Sequence, residues 1–393
     1  MIEYTPPVRQ LILLLLLASP ASARRTSVTP EMDKLLLEGL DAVYRMDFDA
    51  ADAAAAKALA LDPSYPHPYL GQATIDLVRF SYGTEQSDAS LIKSFDAKVA
   101  RTIEVSEAWL KAHPGDPDGL FVLGAAHGSA GRMAIVRRQW LSAFRHGRAA
   151  MKSVRASLKA DPELYDAYLG LGMFDYSVDT IPKFAGWLAK IMLGGDRVRG
   201  LQEIKIAAEK GRYAKTTAKL ILVEIFTEDL FGASNPPEAL RLMREIFAQY
   251  PDSAMLHSAL VVALYEDGKM EEALKEAKEY QDRVEAGRYL PLNKAKCHAL
   301  MGTILWASGD RMRALEEFRA GAEVRAALKD RWAIWSRARA GQVLDALGRR
   351  AEAVEAYRAV YAEPDHWDFR ALIKPCLRNP CVGEMYPGHF SPY

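Results

Sequence analysis

The chain repeats itself. Forward from Gly302 come Leu305, Gly309, Ala314 and Phe318; forward from Gly341 the same residue types recur at the same offsets, as Leu344, Gly348, Ala353 and Tyr357. Weaker copies precede these, with Leu264, Gly268 and Ala273 in one and Leu230, Ala239 and Pro251 in another. Near the start Gly39, Ala51, Ala58 and Pro63 take corresponding places, and Lys159-Ala160-Asp161-Pro162 closes a further unit. The physical reading is a stack of helix pairs. Small residues let two antiparallel helices approach closely, an aromatic fills the space between neighbouring pairs, and proline ends a helix because it lacks a donor. Each pair leaves an apolar face that another pair must cover, so the stack elongates instead of enclosing one core. A length of 393 residues, beyond an ordinary single core, suits such an array.

These residues resemble the tetratricopeptide repeat, whose pattern sets glycine in the first helix, alanine and then an aromatic in the second, and proline at the end. The resemblance is strongest over 254–364 and good over 35–63, although the units are spaced more widely than the roughly 34-residue period. It implies an all-α, right-handed superhelical solenoid, whose concave groove receives a protein or peptide. Between Tyr69 and Gly232 the pattern loosens and helices look longer, over 91–112 and 134–160. The stretch holding Gly170, Gly172, Ile181-Pro182-Lys183, Gly195 and Gly200 is similar to a region of little-characterised bacterial repeat proteins and of a eukaryotic inclusion-body-clearance repeat family. The expected organisation is a signal peptide over 1–23, a helix pair over 24–68, divergent repeats over 69–232, clear repeats over 233–366 and a tail over 367–393.

The leader reading rests on Arg9, the apolar run Leu11 to Leu17 and the small residues Ala21-Ser22-Ala23. A periplasmic or secreted location follows as an expectation, as for exported bacterial members of the superfamily. There Cys376 and Cys381 are candidates for a disulfide, while Cys297 reads as a buried small apolar residue. Lysine plus arginine and aspartate plus glutamate each number 51, so no global excess of cations is available to neutralise phosphates, and nucleic acid is not the expected partner. The local run Arg132, Arg137, Arg138, Arg145, Arg148, Lys152, Arg155 reads as a solvated helix face, with a positive stripe as the alternative.

Chemistry is hard to find. No His-Glu-x-x-His helix, Gly-x-Ser-x-Gly elbow or phosphate-binding Gly-Lys-Thr loop is present, so no catalytic residue, cofactor or metal is assigned. The glycines between Gly124 and Arg132 fit a tight turn between helices. Asp365-His366-Trp367-Asp368 and Cys297-His298 lack a complete ligand set.

In the repeat family the residue after the buried leucine of the first helix often turns to the groove. Here that residue is Phe231, Tyr265 and Trp306 in three consecutive units, a candidate aromatic ladder for an extended peptide. The alternative is that the three fill gaps between helix pairs. The same register adds Glu224, Glu228, Ser258, Lys296, Thr303, Trp335, Gln342 and Asp345. Their mixed charge departs from the lysine- and asparagine-rich clamp of some members, so an acidic C-terminal tail is not the expected ligand. The segment from Ile181 to Leu193, with Phe184, Leu188 and Ile191 on one face, offers a second surface for peripheral contact with lipid, or else for core packing. The reading that results is a non-enzymatic scaffold for a protein or peptide partner. Its rivals are an envelope protein touching lipid or a hydrophobic ligand, and an enzyme with its site in the divergent middle.

Overall fold

The computed structural model describes residues 26–179, 195–228, 233–324, 330–363 and 369–382. Among them the regular structure is helical and no strand occurs. The helices run as α1 Pro30–Tyr44 with α2 Phe48–Leu61, α3 His67–Val78 with α4 Ala89–Ala112, and α5 Pro117–Val136 with α6 Trp140–Ala160. Next come α7 Ala167–Asp179, α8 Arg197–Lys210, and α9 Lys215–Glu228 with α10 Pro236–Gln249. The array continues with α11 Ala254–Glu266 and α12 Met270–Glu285, α13 Lys294–Ala307 and α14 Arg311–Glu323, α15 Arg331–Ala346 and α16 Arg350–Ala362, and ends on the short α17 Phe369–Ile373. It is a tetratricopeptide-like solenoid.

The repeated leucines and glycines turn the chain. The amide of Lys269 donates to the Leu264 carbonyl at 2.9 Å, that of Asp310 to Leu305 at 3.0 Å and that of Arg349 to Leu344 at 2.8 Å. Each closure needs a left-handed residue just before it, and Gly268, Gly309 and Gly348 supply φ of 74°, 84° and 75°. Met46 and Arg138 take the same role without glycine, at φ 64° and 58°. The small-to-aromatic offset is a helix contact: a Cβ at Gly302 would stand 2.7 Å from the Phe318 ring, and one at Gly341 2.6 Å from the Tyr357 ring. Both aromatics are fully buried.

The middle uses glycine more severely. A Cβ on Gly172 would lie 2.6 Å from the Gly200 carbonyl oxygen and 2.8 Å from the Ile204 amide, so α7 and α8 meet backbone to backbone. Gly124 to Arg132 is not a turn, contrary to expectation; it lies inside α5, where Gly124 faces Val154 and the Ala150 carbonyl closely enough to exclude a side chain. The turn comes at 137–139 instead, so the helix expected over 134–160 is broken there and α6 begins at Trp140. Arg138 in the left-handed region is what breaks it. The helix expected over 91–112 is present as α4.

The array curls back on itself. The Tyr44 and Thr217 hydroxyls share a hydrogen bond of 2.7 Å, the Tyr44 and Tyr250 rings stand 5.4 Å apart, and Tyr213 donates to Asp33 at 2.6 Å. Leu40, Met46, Val78 and Tyr82 from the first pairs pack into the same apolar cluster as Leu260, Leu264, Leu300 and Met301.

Candidate functional site

The curl carries one carboxylate deep into the later repeats. After α3 the chain makes one π-helical turn, Arg79–Gly83, and then a short strap before α4 in which Glu85 and Gln86 are both left-handed, at φ 46° and 62°. Two consecutive non-glycine residues in that region are strained and persist only where surrounding contacts hold them. Here the contacts are strong. Glu85 is fully buried, paired with Lys296 of α13 and accepting from Arg331 at 3.0 Å and from the Trp332 indole at 2.8 Å. Lys296 and Arg331 also sit over the Trp332 ring, 5.4 and 5.0 Å from its centroid. Burial alone would raise the Glu85 carboxyl, but the two cations and the donors around it outweigh burial and hold it below the ordinary glutamate range. The neighbouring Asp330 caps α15 by accepting the Trp332 amide at 2.8 Å, and burial, opposed by that bond and aided by Glu85, pushes its carboxyl up to about 6. Two cations and an indole donor aimed at one point make a receiver for a carboxylate.

The residues expected to line the groove divide. Lys296 belongs to this receiver. Tyr265, Trp306 and Trp335 are half-buried: Tyr265 packs on the central apolar cluster, the Arg339 guanidinium lies 5.9 Å from the Trp306 ring, and Trp335 stacks on Phe369 at 5.9 Å. Ser258 and Thr303 donate to carbonyls of their own helices, Met255 at 2.9 Å and Ala299 at 2.8 Å. Glu224 is half-buried on α9. Four of the set, Lys296, Thr303, Gln342 and Asp345, are buried. Gln342 is fully buried, because α15 is covered on all sides along this stretch. The Asp345 carboxylate is buried as well, accepting from Arg350 at 3.0 Å, from the Tyr357 hydroxyl at 3.0 Å and from the Cys381 amide at 2.8 Å. It clasps the tail, where Cys376 and Cys381 are joined as expected. Phe231, the Glu228 side chain, the segment from Ile181 to Leu193, Asp365-His366-Trp367-Asp368 and the leader lie outside the described residues.

Glu85, Arg331 and Trp332 were not visible in the sequence as a site. The strap belongs to no repeat, and its partners are 211 to 247 residues away. Cys297 is buried as expected, its thiol pushed up to about 12 by burial, and it donates to the Asn293 carbonyl. Among the described residues no group of three or more side chains is suited to a metal, and no helix is long and apolar enough to cross a membrane.

In the divergent middle one carboxyl is perturbed. Burial, and then the charge of Asp175, push Glu203 on α8 up to about 7, with Arg199 opposing. A folded-state value above the ordinary 4.5 means that this group favours the fold at low pH and that the contribution is lost as pH rises through about 7. Urea unfolding at several pH values should show stability declining across that window in the parent, and Glu203→Gln should flatten the decline.

Comparison with known proteins agrees with the geometry. The tetratricopeptide repeat family model matches residues 228–288, the helices α10 to α12. That match covers 61 of the 393 residues. No curated protein sequence matches it. Among solved structures, a tetratricopeptide repeat protein from Parabacteroides merdae is 16% identical, covering 76% of this chain and 95% of that one with a TM-score of 0.32. Yeast Tom70 is 12% identical over 81% of this chain and 75% of its own, with a TM-score of 0.41. The human IFIT1 dimer with PPP-AAAA is 14% identical over 90% and 86%, with a TM-score of 0.44. The tetratricopeptide match includes the first of the three leucine-glycine turns, Leu264 to Gly268, and the carboxylate receiver lies in the helices that follow it.

Proposed function

We propose that this protein is an exported, non-enzymatic tetratricopeptide scaffold that engages a protein or peptide partner through the concave wall built by α13 and α15. The repeat fold supports a protein-interaction role in general. The observation that carries the finer reading is Glu85: Lys296, Arg331 and Trp332 already hold an acidic residue on a strap of polypeptide from elsewhere in the chain. A partner segment presenting an acidic side chain would compete with the strap for the same three groups. This differs from the expectation drawn from mixed charge, because Arg331 was absent from that register. The leader sequence supports export, and the Cys376–Cys381 bond fits an oxidising compartment.

The test supplies the strap in trans. A synthetic peptide of residues 79–88 is titrated against the full chain carrying Glu85→Gln, with thermal unfolding as the readout. The peptide should raise the midpoint in a concentration-dependent way, as any ligand of the folded state does, and the same peptide with glutamine for Glu85 should not. Equal, or no, stabilisation by the two peptides would mean that the wall is no receiver for outside polypeptide.

A further inference from the structure

We propose that the contact between His127 and His146 is an acid-operated latch on the α5–α6 hairpin, which holds with one added proton and opens with the second. His127 of α5 and His146 of α6 meet Nδ1 to Nδ1 at 3.0 Å, with their ring centroids 5.2 Å apart. The same spacing recurs in two later helix pairs, where a histidine of the first helix meets the residue nineteen positions on. His257 of α11 meets Glu276 of α12 at 3.2 Å, and His298 of α13 meets Glu317 of α14 at 2.8 Å. In those pairs a protonated imidazole would face a carboxylate. In α5–α6 a second imidazole takes the carboxylate's place, so acid brings like charges together.

The protons can be counted. A bond between two ring nitrogens needs one donor and one acceptor, and each neutral imidazole carries one proton. One ring therefore donates through Nδ1 and has a bare Nε2, while the other accepts at Nδ1 and keeps its proton on Nε2. A first added proton goes to the bare Nε2, and the bond survives. A second can go only to the accepting Nδ1, which leaves two N–H groups face to face on two cations. The pair thus titrates in coupled steps and resists the second. In keeping with this, burial and then the charge of His146 hold the His127 imidazole below its ordinary 6.5, with Glu107 opposing.

The hairpin cannot relieve the repulsion while it stays closed. A Cβ at Gly131 would stand 3.4 Å from the His146 Cβ, and one at Gly124 2.7 Å from Val154, so the helices approach closely on both sides of His127. Between Asp118 and Asp161 the chain has eight lysines and arginines and no aspartate or glutamate. From α4 comes the exposed Glu107, facing His127. Asp96 of α4 and Arg137 line a cleft of about 200 Å³ with His146, but they are paired with each other at 2.8 Å. From α7 the Phe174 ring lies against Gly147, and among the described residues no charge of α3 or α7 acts on His127. The open cleft gives water a route to His146.

The sign follows from linkage. The closed pair takes its second proton only below the ordinary histidine value, so its contribution is complete above about 6.5 and is lost as pH falls from there to the depressed value. Hydrogen exchange of the full chain, read on peptides covering 124–150 at about pH 7.5 and about pH 5 with labelling times scaled to the intrinsic rate, tests this. Opening should rise by up to about thirtyfold in acid, the ratio by which an ordinary histidine favours its protonated form at the lower pH. His127→Gln, which can still bond His146 but does not titrate, should abolish the rise, and His127→Glu, which restores the carboxylate of the later pairs, should abolish or reverse it. His146→Gln repeats the test from the other helix, and matched exchange in α15 and α16 shows that each variant is folded. No acid rise in the parent, or an equal rise in both glutamine variants, would overturn the proposal.

Discussion

Glu85→Gln is expected to destabilise the full chain by about 3 to 5 kcal/mol, because it leaves Lys296 and Arg331 buried without their counter-charge. Equilibrium urea unfolding measures this directly. Replacing the charges together, as Glu85→Gln with Lys296→Met and Arg331→Met, should recover most of the loss, since removing a whole buried cluster is far less costly than orphaning part of it. Failure of the single variant to destabilise would mean that water reaches the two cations in solution. The acid limb follows the same chemistry. A carboxyl held below its ordinary value contributes stability above the unfolded-state value, and that contribution disappears as pH falls through the depressed one. The parent should therefore show an acid transition that is absent from the triple variant.

Gly172→Ala should be nearly as damaging, by about 1 to 3 kcal/mol or more, although it adds a single methyl group to a helix. Alanine ordinarily favours a helix over glycine by about 1 kcal/mol. At Gly172 the added carbon meets the backbone of α8, which cannot rotate aside as a side chain can. Gly128 supplies the comparison within the same protein: it is exposed in α5 with nothing within 4 Å of a new Cβ, so Gly128→Ala should be neutral or stabilising. Thermal midpoints for both variants decide the point. Equal effects would show that α7 and α8 can separate at little cost.

The two glycines also mark how far the sequence could be read. Gly302 with Phe318, and Gly341 with Tyr357, were legible because a small residue and an aromatic recur at fixed offsets, and those offsets are contacts in the fold. The leucine-glycine turns were legible for the same reason. Gly124 was misread because glycine serves two purposes, a left-handed turn or a close approach, and spacing alone does not separate them. The buried carboxylate cluster was legible only in part. Lys296, expected to line the groove, pairs with Glu85, and the strap that carries Glu85 comes from outside the repeats. Asp345 followed the groove register to a place clasped by the tail, which no repeat pattern describes, and Gln342 to a fully buried position.

The curl has a consequence for the order in which the protein can be made. The helices α1 and α3 leave the ribosome first, yet the residues that cover their inner ends come much later, with Lys296 lying 211 positions beyond Glu85. At about 5 to 20 residues per second the wait is about 10 to 40 seconds. During that time Leu40, Val78 and Tyr82 lack the part of the central cluster that Leu300, Met301 and Ile304 contribute. An open solenoid can consolidate behind the ribosome, pair by pair. This one keeps an unfinished inner face until α13 has been synthesised.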